Sequence, residues 1–434
     1  MQYFLHYLGC FKNDVDAETM MAALDRAHWT RTLDPAAADL IVINSCGFIE
    51  SAKQESINAT IAYRRDYPDK KIILAGCLAQ RYGRKLAAAL PEADVLFGNR
   101  DLSQIPDAAR AVSGSVLLPD ARLTAETVPG NRPRLSGPGS AYVKISEGCN
   151  NRCTFCAIPN IRGPMVSRTI PDILDECREL LAQGVRELCL IGQDIGSYRA
   201  GDAELPALLE AISGLSGPFW VRLLYIHPDN MPLDILRILR GDARFLPYFD
   251  LPFQHGSSRI LRGMNRRGTA ESYLALLDRI RAVLPDAVVR STFLTGFPGE
   301  TAADFRSLLA FQESAELDWV GCFTYSREED TPAYRMGSQV SGRLAAQRKG
   351  VIEERQIPIT EKRLDRFTGG VFDTLIEERL AGGDYRGRLF CHAPEVDGFA
   401  VISSSGPLEE GTFVKSRINA RTGFDLTGTV LSSD

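Results

Sequence analysis

Short apolar runs separated by helix-length segments recur down most of this chain, and no other feature narrows its fold as much. YFLHYLG, DLIVINS (Asp39 to Ser45), KIILAG (Lys71 to Gly76) and ADVLFG (Ala93 to Gly98) read as buried strands, with helices expected over Ala17 to Ala27, Ile49 to Tyr67 and Ala79 to Ala89. Strands that alternate with helices pair in parallel, because each crossover helix returns the chain to the same edge of the sheet. A second series, AYVKIS, ELCLIGQD, WVRLLYIHP, YFDLPFQHG, VVRSTFLTGFPGE and WVGCFTYSRE, supplies six strand-helix repeats. Six fall short of the eight that close a parallel barrel, so an incomplete barrel is expected. Beyond Phe367, short strands divided by Gly, Pro, Asp and Ser suit a small antiparallel barrel.

The expected fold class is therefore α/β, in three units. An N-terminal parallel-sheet unit covers 1–122, and a linker covers 123–139, which takes in most of the Pro-, Gly- and Arg-rich stretch VPGNRPRLSGPGS (Val128 to Ser140). A partial (βα)6 barrel of the TIM type covers 140–366 and ends in a charged stretch from Arg343 to Arg366 that Pro358 interrupts, and the small β-barrel covers 367–434. A length of 434 residues agrees with two or three domains. The start, MQYFLHYLGC, lacks a basic region followed by a long apolar core, and no run approaches the roughly 18 apolar residues of a membrane span. A cytoplasmic location is expected by default. The net charge of -5 supplies no general attraction for nucleic acid.

Ten cysteines in a reducing compartment point to metal or catalysis rather than a disulfide framework. Cys149, Cys153 and Cys156 stand in the spacing C-x3-C-x2-C directly after the first barrel strand, at the C-terminal mouth where barrel enzymes place their chemistry. Three thiolates on so tight a loop suit one corner of an iron-sulfur cube, or three sides of a zinc site completed from elsewhere. Cys10, Cys46 and Cys77 are far apart in sequence, yet each follows an apolar strand directly, in LGC, NSC and AGC. The carboxyl ends of parallel strands share one edge, so these three thiols are expected to converge there. Cys177, Cys189, Cys322 and Cys391 fall in helix, strand, strand and loop and are expected to be structural.

The barrel-mouth spacing resembles that of the radical S-adenosylmethionine (SAM) superfamily. With Cys10, Cys46, Cys77 and a terminal barrel of the TRAM type, the whole chain resembles its methylthiotransferase branch. LGCFKNDVDAETM, INSCGFIESAKQESI, GCLAQRYG, ISEGCNNRCTFCAIPNIRG, LLYIHP, LPFQHGSSRILRGMNR and APEVDG are similar to the members that modify an aspartate of ribosomal small-subunit protein twelve. The resemblance implies two [4Fe-4S] clusters, one on Cys149, Cys153 and Cys156 and one on Cys10, Cys46 and Cys77. It also implies that the fourth iron of the first is left to SAM, which is cleaved to methionine and a deoxyadenosyl radical. One SAM would donate a methyl group to a sulfur held at the second cluster, and another would generate the radical. The target β-carbon carries a hydrogen that no side-chain base removes, so radical chemistry is required. An electron donor of the flavodoxin or ferredoxin type and a sulfur source are implied as well.

Cofactor contacts are expected on the same rim: Thr295, Gly296 and Glu300 in TGFPGE, Gln193 and Asp194 in LIGQD, Phe155 inside the cysteine loop, Arg168 toward the methionyl carboxylate, and His255 as a minor candidate. Relatives with the same plan act on an adenosine of transfer RNA. Charge separates the two substrates, since residues 368 to 434 carry ten acids and six bases, a net of -4, where a phosphate-gripping domain is basic. An acidic unit suits a basic ribosomal protein, and direct nucleic-acid binding is not expected. An electron-transfer or sensor protein would need fully ligated clusters, whereas each group here offers three cysteines.

Overall fold

The structure is a computed structural model that describes residues 1–119 and 132–431; residues 120–122 of the expected first unit, 123–131 of the expected linker and the last three residues lie outside it. Strands β1 (Gln2–Tyr7), β2 (Thr30–Arg31), β3 (Leu40–Ser45), β4 (Lys71–Gly76), β5 (Val95–Phe97) and β6 (Ser115–Leu117) form one parallel sheet in the order β2-β1-β3-β4-β5-β6. All four expected strands are present, and β2 and β6 are short edge strands that carry no apolar run long enough to announce them. Helices α1 (Phe11–Arg26), α2 (Glu50–Asp66) and α3 (Cys77–Ala89) cross between β1 and β2, β3 and β4, and β4 and β5. Because β1, β3 and β4 are neighbours, the turns that follow them lie side by side.

The six strands of the second series are β7 (Ser140–Lys144), β8 (Glu187–Ile191), β9 (Trp220–Leu223), β10 (Phe245–Asp250), β11 (Val288–Thr295) and β12 (Trp319–Thr324), each parallel to the next in sequence and unclosed. Alternation along each strand divides the side chains. Val143, Leu188, Leu190, Val221, Leu223 and Val289 pack under the helices, while Tyr142, Cys189, Ile191 and Tyr248 face the concave side. The charged stretch before the last unit is one helix, Gly342–Asp365, that continues through Pro358.

The terminal unit is a closed barrel of β13 (Val371–Arg379), β14 (Tyr385–Arg388), β15 (Ala400–Ser403), β16 (Phe413–Thr422) and β17 (Asp425–Val430). It departs from the antiparallel expectation in one pair, β15 with β17, which run parallel. Its core residues Leu375, Leu389, Cys391 and Ala393 join the concave-face residues of the half-barrel and Phe11 and Val15 of α1 in one buried cluster. Phe11 stacks on Tyr142 with ring centroids 4.6 Å apart. The three units therefore meet at the concave side of the half-barrel. No helix among the described residues is long and apolar enough to cross a membrane.

Candidate functional site

Cys10 is the N-cap of α1, Cys46 follows β3, and Cys77 opens α3 at the end of β4, so parallel pairing brings the three thiols to one sheet edge. Gly9 permits this approach. Its φ is +109°, and a Cβ there would stand 3.1 Å from that of Cys46. Asn13 ties the strand ends together, donating from Nδ2 to the carbonyls of Leu8 (2.7 Å) and Ser45 (3.2 Å). Burial pushes the Cys46 thiol up to about 12, with the neighbouring Cys77 adding to the shift, and burial raises Cys77 as well.

Cys149, Cys153 and Cys156 occupy the loop after β7. Burial raises Cys149 and pushes Cys156 up to about 12, each with a contribution from Cys153. Thiols in such surroundings remain protonated unless a cation compensates the thiolate. Among the described residues no three His, Cys, Asp or Glu side chains stand in single-ion geometry, and all ten thiols are free. Two sets of three soft thiol donors are of the chemistry that iron-sulfur cubes take.

The two cysteine groups share one junction, bridged twice. Arg162, on the short helix Ile158–Arg162 just after the cysteine loop, donates from Nη2 to Cys77 Sγ (3.2 Å), Asn13 Oδ1 (2.7 Å) and Asp16 Oδ2 (2.8 Å), and from Nη1 to Glu147 Oε2 (2.9 Å). Lys144 joins Asp16 and Glu147, so two buried cations face two buried carboxylates. Burial alone would raise the Glu147 carboxyl, but Arg162 and Lys144 hold it down to about 2. The second bridge is the chain after β9. Tyr225 lies under Lys12 of α1, and His227 brings Nε2 to 3.9 Å from Cys153 Sγ. Burial, with Arg266, pushes His227 down to about 4, so its ring is neutral at physiological pH.

The expected cofactor contacts divide into several environments. Gln193 donates to Glu147 Oε1 (2.6 Å), while its own buried Oε1 has no partner in the structure. Asp194 is a brace, its Oδ2 accepting from Asn151, Ser197 and Asn230 (each 2.7 Å) and its Oδ1 from the His227 N–H (3.0 Å). Asn151 sits inside the cysteine loop, so Asp194 fixes that loop. Arg168 is engaged within the protein: its guanidinium is buried between Asp172, Glu176 and the Lys144 carbonyl. Thr295 Oγ1 donates to the Ala345 carbonyl (3.0 Å), and Glu300 accepts the Gly296 N–H and pairs with Arg348 (3.0 Å). Thr295 and Glu300 thus shape the turn, and Gly296 lends it backbone at φ +79°. Phe155 packs with Ile260, Leu294 and Phe297 beside that turn. His255 is fully buried, its Nδ1 accepting from Ser257 N (2.8 Å) and its Nε2 3.9 Å from Glu300, a structural position. The sequence reading missed Lys12, Asn13, Arg162 and His227. All four lie in stretches already singled out, but no spacing rule marks side chains that meet only across the junction.

An open parallel half-barrel with a three-cysteine loop at its C-terminal mouth is the class of structure that radical SAM enzymes form, and residues 143–311 match the model of the Radical SAM superfamily. Residues 2–98 match the uncharacterized protein family UPF0004, and residues 368–431 match the TRAM domain. The chain is 44% identical to the ribosomal protein uS12 methylthiotransferase RimO of Treponema denticola, over 96% of this chain and 98% of that one. It is 39% identical to the same enzyme of Desulfosudis oleivorans, over 99% of each. Among solved structures, the radical SAM methyltransferase TsrM from Kitasatospora setae shares the fold, with a TM-score of 0.57 at 14% identity over 76% of this chain and 73% of that one. The chain belongs to the RimO family of radical SAM methylthiotransferases. Membership carries a [4Fe-4S] cluster and SAM as the family's cofactors.

Proposed function

We propose that this protein inserts a methylthio group at the β-carbon of an aspartate in ribosomal protein uS12. In this reading Cys149, Cys153 and Cys156 hold the cluster that binds SAM, and Cys10, Cys46 and Cys77 hold a second four-iron cluster that carries the sulfur. Bound there, these groups supply the one-electron chemistry that an unactivated carbon requires. The observation that carries the reading is the shared junction: Arg162 and the Tyr225 to His227 segment touch or flank both cysteine groups. Asp194 holds the Cys149 loop through Asn151, and the buried Asp16, Lys144, Glu147 and Arg162 network fixes the spacing between the groups. Gln193, with its unpartnered carbonyl, is the side chain best placed to meet SAM, together with the Gly296 turn and the Phe155 ring. The domain limits at 122, 140 and 366 and a cytosolic setting belong to the same proposal, as does an external electron donor of the flavodoxin or ferredoxin type.

Charge supports a protein substrate over transfer RNA. Arg386, Arg388, Lys415 and Arg421 of the terminal unit are each ion-paired, which leaves little basic surface for phosphates. The test is the intact mass of uS12, alongside nucleoside analysis of bulk transfer RNA, from cells lacking the gene and cells complemented with it. Loss of the methylthio mass from uS12 alone is expected; a loss confined to transfer RNA overturns the substrate. Cys153→Ala should abolish SAM cleavage, whereas Cys46→Ala should retain cleavage and lose sulfur insertion. Normal methylthiolation by the Cys46 variant would exclude a sulfur-carrying role for that group.

A further inference from the structure

The cations of the junction are not all held in the same way. Lys144 and Arg162 are paired with Asp16 and Glu147. Lys12, the second residue of α1, pairs with no carboxylate among the described residues, and its Nζ lies 3.1 Å from the centroid of the Tyr225 ring. The charged groups around it are Cys10 and Arg162, and Asp250 and Glu147 across the junction. The two carboxylates are engaged elsewhere: Asp250 accepts the Tyr225 N–H (3.2 Å), and Glu147 binds Lys144, Arg162 and Gln193. An aromatic face holds a cation in place without neutralising it, so the ammonium remains available to an anion.

The support beneath Lys12 is itself built at a cost. Tyr225 has φ +65°, a left-handed conformation that is strained for a non-glycine residue. It is held there by Asp250 and by the Ile195 N–H on its carbonyl (3.0 Å). Strain of this kind persists where the surroundings fix it, here in the segment that links the Cys10 side of the junction to Cys153.

We propose that Lys12 binds the side-chain carboxylate of the target aspartate and so sets the enzyme's preference for an acidic residue. This rests on the reaction proposed above. The carboxylate is bonded to the carbon that reacts, so anchoring it between the two cysteine groups fixes the direction of the β-hydrogens. Lys12 transfers no atom; it positions.

The test uses the full-length, cluster-reconstituted protein and a fluorescent peptide spanning the uS12 target loop, with either Asp or Asn at the target position. Anisotropy titration of the wild type should show at least about tenfold tighter binding of the Asp peptide, the range expected for a desolvated charge pair. Lys12→Gln should bind both peptides alike. Lys12→Met, which preserves the apolar stem over Tyr225, is the parallel variant should the first not fold, and Lys12→Arg should retain the preference. A Lys12→Gln or Lys12→Met protein that still discriminates, or a wild type that does not, overturns the inference. A wild type that discriminates but leaves purified uS12 unmodified overturns the reaction instead.

Discussion

Arg162 shows how much a single side chain carries in this protein. Its guanidinium meets Asp16, Glu147, Asn13 and the Cys77 sulfur in a fully buried setting. Removing one partner of a buried pair leaves the others uncompensated, typically at about 3–5 kcal/mol. Arg162→Met should therefore lower stability by about that much in urea denaturation of the cluster-free protein, and Arg162→Lys by less. Asp14 behaves in the opposite sense. It lines a cavity of about 270 Å³ with Tyr7, Gly9, Phe11, Leu135 and Glu395, and burial, with Glu395, Glu18 and Asp16 around it, pushes its carboxyl up to about 7. Between about pH 4 and 7 the unfolded chain releases a proton that the folded chain retains, so stability declines as pH rises through that window. Asp14→Asn should match the wild type near pH 4 and exceed it at pH 8, by on the order of 1–2 kcal/mol. Equal melting temperatures at pH 8 would refute this.

At the level of the element, the helix Gly342–Asp365 presents Ile352, Gln356 and Thr360 to the barrel, with Gln356 donating to the Leu317 carbonyl and Thr360 to that of Asp318 (both 2.8 Å). Pro358 sits on the exposed side of the same helix. A proline there removes one helical hydrogen bond, so Pro358→Ala should raise the melting temperature, by the equivalent of about 1 kcal/mol or more. The strand pattern made the parallel units legible in sequence, since each of the ten expected apolar runs forms a strand, and strand ends alone brought Cys10, Cys46 and Cys77 to one edge. What pattern could not convey is which polar side chains turn inward. The partners that hold Asp194 and Arg168 in place could not be read from sequence, because a charged residue at a barrel mouth has no local signature that names what it will bond. Even the linker is firmer than its composition suggests: Arg132 is buried between Glu18 and Glu176, and the Leu135 N–H donates to Glu18.

Across the whole molecule, the docking of the terminal barrel was the least legible feature, because its key contacts join residues from 72 to 201 positions apart. Glu187, the first residue of β8, is fully buried between Arg222 of β9 (2.7 Å) and Arg388 of β14 (2.5 Å). Around it, Trp220 packs on Phe413 with centroids 4.6 Å apart, and Trp319 donates to the Cys391 carbonyl (2.9 Å). Burial alone would raise the Glu187 carboxyl; Arg388 and Arg222 instead hold it down to about 2. A carboxyl depressed from its ordinary value near 4.5 contributes stability that is complete above that value and lost as pH falls toward 2. At neutral pH, Glu187→Gln leaves two buried guanidiniums facing a neutral amide, and a loss of about 3 kcal/mol is expected. The difference from the wild type should shrink as both are acidified below about pH 4.5, because protonation gives the native carboxyl the same neutral character. Tryptophan emission reports the event directly, since Trp220 and Trp319 both lie in this seam, and opening it would shift their emission to the red. A gap that stays constant down to pH 2 would mean that packing, and not this ion triad, holds the barrel to the rest of the chain.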